Sequence, residues 1–398
     1  MREYSAGIVI SDLTGPGGCV DAAGSGRLRL AVKDNIDVAG AVTSEGSRFV
    51  AEESSPAVHS APVVQALVDA GAVVVSKVNM HEFAYGVTSD NPWFGAVPNP
   101  ALPGRIPGGS SGGSAAVIAG GAADIALGTD TSGSIRMPAG CVGVVGLRPR
   151  AGLLDLRGVR PLCPSFDTVG PMAASVERLA WGWCALAGAA LAACPSDSQA
   201  RGTRAGIRVA LHDPHASLPP EIRAVLTRSG AAIVGGQWGG VQGKRSGEAY
   251  IDAVLNALWP AFRFEAARTH AARFPARAAE YGASVARKLA AAQSSTAADH
   301  EHSLRVLHGL RSELLKGWDH ACIDALVLPT LGCPVPKVDD PEEQYEDALG
   351  RYAAVWSAVN LPALAIGNVQ IVARTEQDVL QLGLRLEQSG LTPSPARG

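Results

Sequence analysis

Leu28-Arg29-Leu30-Ala31-Val32-Lys33, then an apolar spacing through Val58, Val63, Val64, Leu67 and Val68 up to Gly71, then Ala72-Val73-Val74-Val75-Ser76-Lys77: this stretch decides the fold class. The first segment alternates apolar residues and reads as a strand ending on a charge. The second predicts a helix over 57–70, stopped by Gly71, a residue that accepts the left-handed turn closing a helix. The β-branched run predicts another strand. Strand, helix, strand in that order predicts a right-handed crossover and a buried, largely parallel sheet of α/β class. Lys33 and Lys77 both fall at predicted strand ends, the edge where sites of open α/β sheets gather.

The chain has 398 residues, of which 47% are hydrophobic and 18% charged, so it can bury a sizeable core and is not of the disordered class. The formal net charge of −3, without a basic face or arginine-rich run, argues against nucleic-acid binding. Seven scattered cysteines (Cys19, Cys141, Cys163, Cys184, Cys194, Cys322, Cys333) form no CxxC pair and read as free thiols in a reducing compartment. Residues 1–18 lack the continuous apolar core of a secretory signal. The longest uncharged stretch, 179–195, falls short of the roughly 18–20 residues that span a bilayer and predicts a buried helix. A cytoplasmic, soluble protein with no membrane partner is the expectation.

Further along, 91–113 is turn-like, 114–121 predicts a short helix, 123–127 a strand and 129–133 a loop, with a helix starting over 134–140. Ser175 is placed to cap the 179–195 helix, with Glu177 in its first turn. Strand character returns at 206–211, helical character at 221–230 and over 253–314, the latter broken near Pro260 and Pro275. His300, His302 and His308 cluster there among acidic residues; a solvated helix face is the better reading than a metal site. A strand at 323–328, one or two more over 361–372 and an amphipathic helix at 376–388 close the chain. Without internal repeats or a clear linker, residues 1–398 read as one interwoven domain.

Chemistry concentrates in two glycine-rich runs, Gly108-Gly109-Ser110-Ser111-Gly112-Gly113-Ser114 and Gly128-Thr129-Asp130-Thr131-Ser132-Gly133-Ser134-Ile135-Arg136. Either alone suits a linker or a phosphate cradle. The first run, however, is flanked by apolar segments, lacks the lysine of a P-loop and follows no GxGxxG strand. The two serines 110 and 134 lie 24 residues apart with a strand-like segment between them, so neighbouring strand ends can bring them together. A serine preceded by glycine at a helix start has an uncrowded hydroxyl, and the N–H groups of 131–134 can face a developing oxyanion. A serine nucleophile needs a base. None of the nine histidines stands in a triad context and there is no G-x-S-x-G elbow. A buried lysine can serve instead, because desolvation favours its neutral form. Lys33 is the candidate, against the alternative of an ordinary surface charge.

Together these segments resemble the amidase signature family. The resemblance rests on Val32-Lys33-Asp34, the 108–114 run and Asp130 to Arg136. It extends through Pro138 to Gly143, Gly146-Leu147-Arg148-Pro149, Pro164 to Met172, Leu328-Pro329-Thr330 and Asn360-Leu361-Pro362-Ala363. It is strong over 28–195 and moderate over 322–388; the region of about 200–320 contributes nothing and is variable and helical. The resemblance implies a large mixed, mostly parallel twisted sheet with helices on both faces, no metal, no cofactor and a homodimer. It implies an amidohydrolase acting on a small-molecule amide, with Ser134 as nucleophile, Ser110 after a cis peptide as relay and Lys33 as base. Thr131, Ser132, Gly133 and Ser134 would supply the oxyanion hole. Ser111, Asp130 and Arg136 would support the triad, with an anionic-substrate contact the lesser alternative for Arg136. One departure stands out: Ser132 occupies a position where the family has glycine. Pocket walls are expected from 79–85, 163–167 and the middle region. A rival within the same resemblance is the catalytic A-type component of a tRNA-dependent amidotransferase. Against that rival, only 32 residues precede Lys33, too few for the helical N-terminal region typical of those proteins.

Overall fold

The computed structural model describes residues 7–14, 26–191, 206–235, 238–239 and 247–396. Strand β1 (Val9–Asp12) precedes β2 (Arg29–Lys33), and helices α1 (Arg48–Glu53) and α2 (Pro62–Asp69) lead to β3 (Val73–Val78). The predicted strand–helix–strand unit is therefore present, with β2 and β3 parallel neighbours. Its helix starts at Pro62 rather than at 57, because proline fits the first helical turn and not the interior. Then come α3 (Gly112–Ala119), β4 (Ile125–Thr129), α4 (Arg136–Val142), β5 (Val145–Arg148), β6 (Val169–Ala173) and α5 (Val176–Leu191). Ser175 Oγ accepts from the Arg178 N–H at 3.2 Å, so the expected cap of α5 forms. α5 is not buried all round as expected: Val176, Leu179, Trp183 and Leu186 turn inward, while Glu177, Arg178 and Cys184 face solvent.

The remaining elements are β7 (Arg208–Leu211), α6 (Ile222–Arg228), β8 (Ala232–Val234), α7 (Gly247–His270), α8 (Ala283–Ala292) and α9 (Ala297–Ala321). After them follow β9 (Ala325–Pro329), α10 (Glu346–Ala358), β10 (Ala363–Ile366), β11 (Val369–Ala373) and α11 (Glu376–Gln388). The expected break at Pro260 is absent, and α7 runs through it. The N–H that proline lacks would have met the carbonyl of Asn256, an exposed residue, while Tyr250, Ile251, Val254 and Leu258 anchor the helix in the core. The chain does turn at Pro275, which follows a cis peptide bond. α9 begins with a reciprocal cap in which Thr296 Oγ1 accepts from the Asp299 N–H and Asp299 Oδ2 accepts from the Thr296 N–H.

All eleven strands form one sheet, in the order β1-β3-β2-β4-β6-β5-β10-β11-β9-β7-β8. The sheet is mixed as expected but not mostly parallel: four of its ten pairings are parallel and six antiparallel. The parallel pairs sit in two blocks, β3-β2-β4 and β9-β7-β8, built by helical crossovers. Between them, short connections such as Gly367-Asn368, joining β10 to β11, return the chain antiparallel. Strand residues alternate between two faces. Leu30, Val32, Leu127 and Leu364 join one apolar core with α2, α5, α6 and α11. Ala31, Ala126 and Ala365 join a second, where their small side chains let α3 and α4 approach the sheet, and Leu326, Leu328 and Val372 join a third with α7, α8 and α9.

Of the three clustered histidines, His302 and His308 are exposed as expected, but His300 is not free, its Nε2 lying 2.7 Å from Glu265 Oε1 on α7. No group of three or more metal-ligating side chains occurs among the described residues. Cys141, Cys163, Cys184, Cys322 and Cys333 are free thiols; Cys19 and Cys194 lie outside the described residues. No helix among the described residues is long and apolar enough to cross a membrane.

Replacing Thr296 by Ala removes the α9 cap and is expected to lower unfolding free energy by about 1 kcal/mol in urea titration, with catalysis unaltered.

Candidate active site

Parallel pairing of β2 with β4, Val32 opposite Leu127, brings Lys33 at the end of one strand beside Thr129 at the end of the other. The loop entering α3 lies over both ends. Lys33 is fully buried, with Nζ 2.7 Å from Ser110 Oγ, 2.9 Å from Ser111 Oγ and 2.8 Å from Thr129 Oγ1. Ser111 Oγ donates to the Thr129 carbonyl at 3.1 Å, and Thr129 Oγ1 accepts from Asn35 Nδ2 at 3.2 Å. Ser111 has thus used its proton and must accept from the lysine. The Ser110 and Thr129 hydroxyls keep their protons, so either can accept from the amine or donate to its lone pair once it is neutral. Burial drives the Lys33 pKa down from its usual range, the charges of Asp130 and Asp167 restore part of it, and it settles at about 7. The peptide bond between Gly109 and Ser110 is cis, and the Ser110 carbonyl accepts from the His81 N–H at 3.1 Å.

The second glycine-rich run leads from β4 into α4 and is wound around Asp130. Asp130 Oδ1 accepts from the Gly133 N–H at 2.7 Å, and Oδ2 from the Ile135 N–H at 3.2 Å and from Arg136 Nε at 3.0 Å. Arg136 Nη2 reaches Oδ1 at 3.1 Å, and Arg148 Nε stands 3.5 Å from the same oxygen. Burial pushes the carboxyl up, but the two guanidiniums and the backbone donors outweigh it and hold Asp130 at about 2. Gly133 has φ +125°, a conformation side chains rarely adopt, and a Cβ there would come within 2.7 Å of the Ala353 methyl. Ser132 has no positive φ, so serine fits the place of the family's glycine without backbone conflict. The Ser134 carbonyl accepts from the Ser111 N–H at 3.1 Å, which ties the two runs together. No hydrogen bond joins the Ser110 and Ser134 hydroxyls among the described residues.

Of the residues expected to line an oxyanion hole, Gly133 has its N–H turned inward onto Asp130, which leaves the N–H groups of Thr131, Ser132 and Ser134. Arg136 is fully buried on Asp130, the Ala353 carbonyl, Gln370 and Ser357 and is not among the residues lining the cavity. Sequence reading missed Asp167. Its Oδ1 accepts from Thr131 Oγ1 at 2.7 Å, and its Oδ2 from the N–H groups of Leu162 and Cys163 at 2.8 and 3.0 Å. Asn35 and Thr129 were missed as well, although all three stand inside or beside the quoted motifs.

A cavity of about 340 Å³ opens over Ser134 and Ser132. Tyr85 lines it as expected and so does the middle region, through Trp259, Phe262 and Lys288, but 163–167 does not. That segment packs behind the wall instead, Cys163 Sγ donating to the Phe262 carbonyl at 3.3 Å. Two larger clefts, of about 480 and 500 Å³, contain neither serine nor Lys33.

A family model described as Amidase matches residues 28–387. The chain belongs to the amidase family. The A component of the glutamyl-tRNA(Gln) amidotransferase from Haloarcula marismortui is 46% identical over 183 residues, 45% of this chain and 41% of that protein. The chain thus spans about two fifths of the length of that relative. The component of the same name from Koribacter versatilis is 32% identical over 395 residues, covering 90% of this amidase-family chain and 80% of its relative. A solved amidase crystal structure superposes with a TM-score of 0.73 at 31% identity over 91% of this chain and 84% of its own.

Asp130→Asn leaves Arg136 and Arg148 buried without a countercharge. The expected loss is about 3–5 kcal/mol of unfolding free energy, read by chemical denaturation at neutral pH.

Proposed function

We propose that the chain is an amidohydrolase that cleaves the carboxylic amide of a small molecule through an acyl ester on Ser134, with Ser110 and Lys33 carrying the proton. The observation behind this reading is the buried lysine: an amine with a pKa of about 7 lies 2.7 Å from the Ser110 hydroxyl, next to a cavity lined by Ser134. A base poised near the working pH is what proton transfer from a hydroxyl requires. In the first half-reaction Lys33 takes the Ser110 proton, Ser110 takes the Ser134 proton, and Ser134 Oγ bonds the amide carbon. The N–H groups of Thr131, Ser132 and Ser134 stabilise the oxyanion. The C–N bond then breaks as the proton returns through Ser110 to the leaving amine. Water attacks the ester by the reverse relay, and amide plus water become carboxylate plus amine. Ser111, Asp130 and Arg136 hold this geometry without touching the reacting carbon.

The relatives named as the A component of a glutamyl-tRNA(Gln) amidotransferase favour a second reading, in which the same chemistry releases ammonia within a larger assembly. That reading also runs against the expectation of no nucleic-acid partner drawn from charge alone. Co-purification with partner proteins, and glutaminase activity only in their presence, would select it.

A fluorophosphonate probe is expected to label Ser134 in the native protein and to leave Ser134→Ala unlabelled; a folded wild-type protein that takes no label overturns the reading. Because only the neutral amine is a base, kcat/KM should be low below neutrality, rise through about pH 7 and level off above it. Lys33→Ala should lower kcat by about 10²–10⁴-fold across that range and abolish the inflection, as measured by ammonia release.

A further inference from the structure

The cavity over Ser134 is apolar in its depth and charged at its rim. Phe262 and Met137 are buried and Tyr85 and Trp259 half-buried, whereas Arg263, Arg287 and Asp347 are exposed. Trp259 and Phe262, three positions apart on α7, project on one side of that helix. Their rings meet edge to face, with centroids 5.5 Å apart and planes at 72°. The Tyr85 ring continues the wall, 5.5 Å from Phe262. Two of the rim charges are paired: Lys288 Nζ lies 2.9 Å from Glu342 and 2.7 Å from Glu346, and Arg287 lies 2.6 Å from Glu343, while Arg263 and Asp347 stand exposed at the mouth. The Tyr85 hydroxyl has no hydrogen-bond partner among the described residues, and burial raises its pKa, so it stays a phenol able to donate. A volume of about 340 Å³ falls at the small end of ligand sites, too small for a long acyl chain.

Resting on the amidohydrolase reading, we propose that the substrates are aryl carboxamides, the flat ring of the acyl group seated on Tyr85, Phe262 and Trp259 and the carbonyl presented to Ser134. Aromatic rings favour offset and edge-to-face neighbours, and three rings at different tilts offer a planar group both. An aliphatic amide would leave this wall unfilled, whereas a flat ring covers it.

The test measures kcat/KM by ammonia release for benzamide, propionamide and glutamine on the wild-type chain, Trp259→Ala and Trp259→Phe, with thermal melts confirming that each is folded. Benzamide should exceed propionamide by roughly ten- to hundredfold in the wild type. That ratio should collapse in Trp259→Ala and recover in Trp259→Phe. Equal or better turnover of propionamide or glutamine by the wild type overturns the proposal, as does a ratio indifferent to residue 259. A chain whose Ser134 takes the fluorophosphonate label but which hydrolyses no benzamide defeats the aryl assignment alone. One that takes no label and hydrolyses nothing defeats the amidohydrolase reading beneath it.

Discussion

An amine shut away from water is a costly thing to keep, and the centre of this molecule is organised by the way Lys33 is kept. Among the described residues no carboxylate lies within ion-pair distance of its Nζ. Three hydroxyls surround Nζ instead, while the two carboxylates whose charges it feels, Asp130 and Asp167, are held by other partners. A hydroxyl can answer either protonation state of an amine, whereas a carboxylate favours only the cation. One strand away, Lys77, paired with Val32 and so on the other face of the sheet, shows the opposite solution. Its Nζ stands 3.3 Å from Asp34 and donates to the Ile36 carbonyl and Thr43. Burial lowers its pKa too, but Asp34 works directly against that. Two lysines at neighbouring strand ends thus differ in the company they keep: one faces a carboxylate, the other three hydroxyls.

Asp130 does for the loop carrying Ser134 what the hydroxyls do for the lysine. A single buried carboxylate gathers two backbone N–H groups and two guanidiniums, so the turn carrying Ser134 is fixed from behind and its front is left to the cavity. The same contact turns the Gly133 N–H inward. A charged cluster of this kind is a poor source of stability compared with apolar packing of the same volume, but it specifies one geometry.

Much of this was legible before any coordinates. The spacing of 110 and 134, the strand ending on Lys33 and the strand–helix–strand unit all rest on local patterns, and local patterns survive folding. The pairing directions did not follow from such patterns. The β2–α2–β3 crossover says nothing of how β5, β6, β10 and β11 return, and the sheet has more antiparallel ladders than parallel ones. Pro260 looked like a break because its effect on a helix is local, but the buried face of α7 outweighed it. The cavity wall was hidden for a different reason. Trp259 and Phe262 belong to a region with no motif, and only tertiary packing brings them within reach of Tyr85, more than 170 positions earlier in the chain.

The partners of Arg136 carry a consequence in time rather than in space. Asp130 is close by in the sequence, but the Ala353 carbonyl, Ser357 and Gln370 belong to the last fifty or so residues. A nascent chain that has left the ribosome as far as residue 340 already holds Lys33, Ser110 and Ser134, yet three of the four residues that grip Arg136 have not been made. The grip on Arg136 is therefore completed only once residue 370 has been made, and a chain cut before residue 353 carries the glycine-rich runs without it.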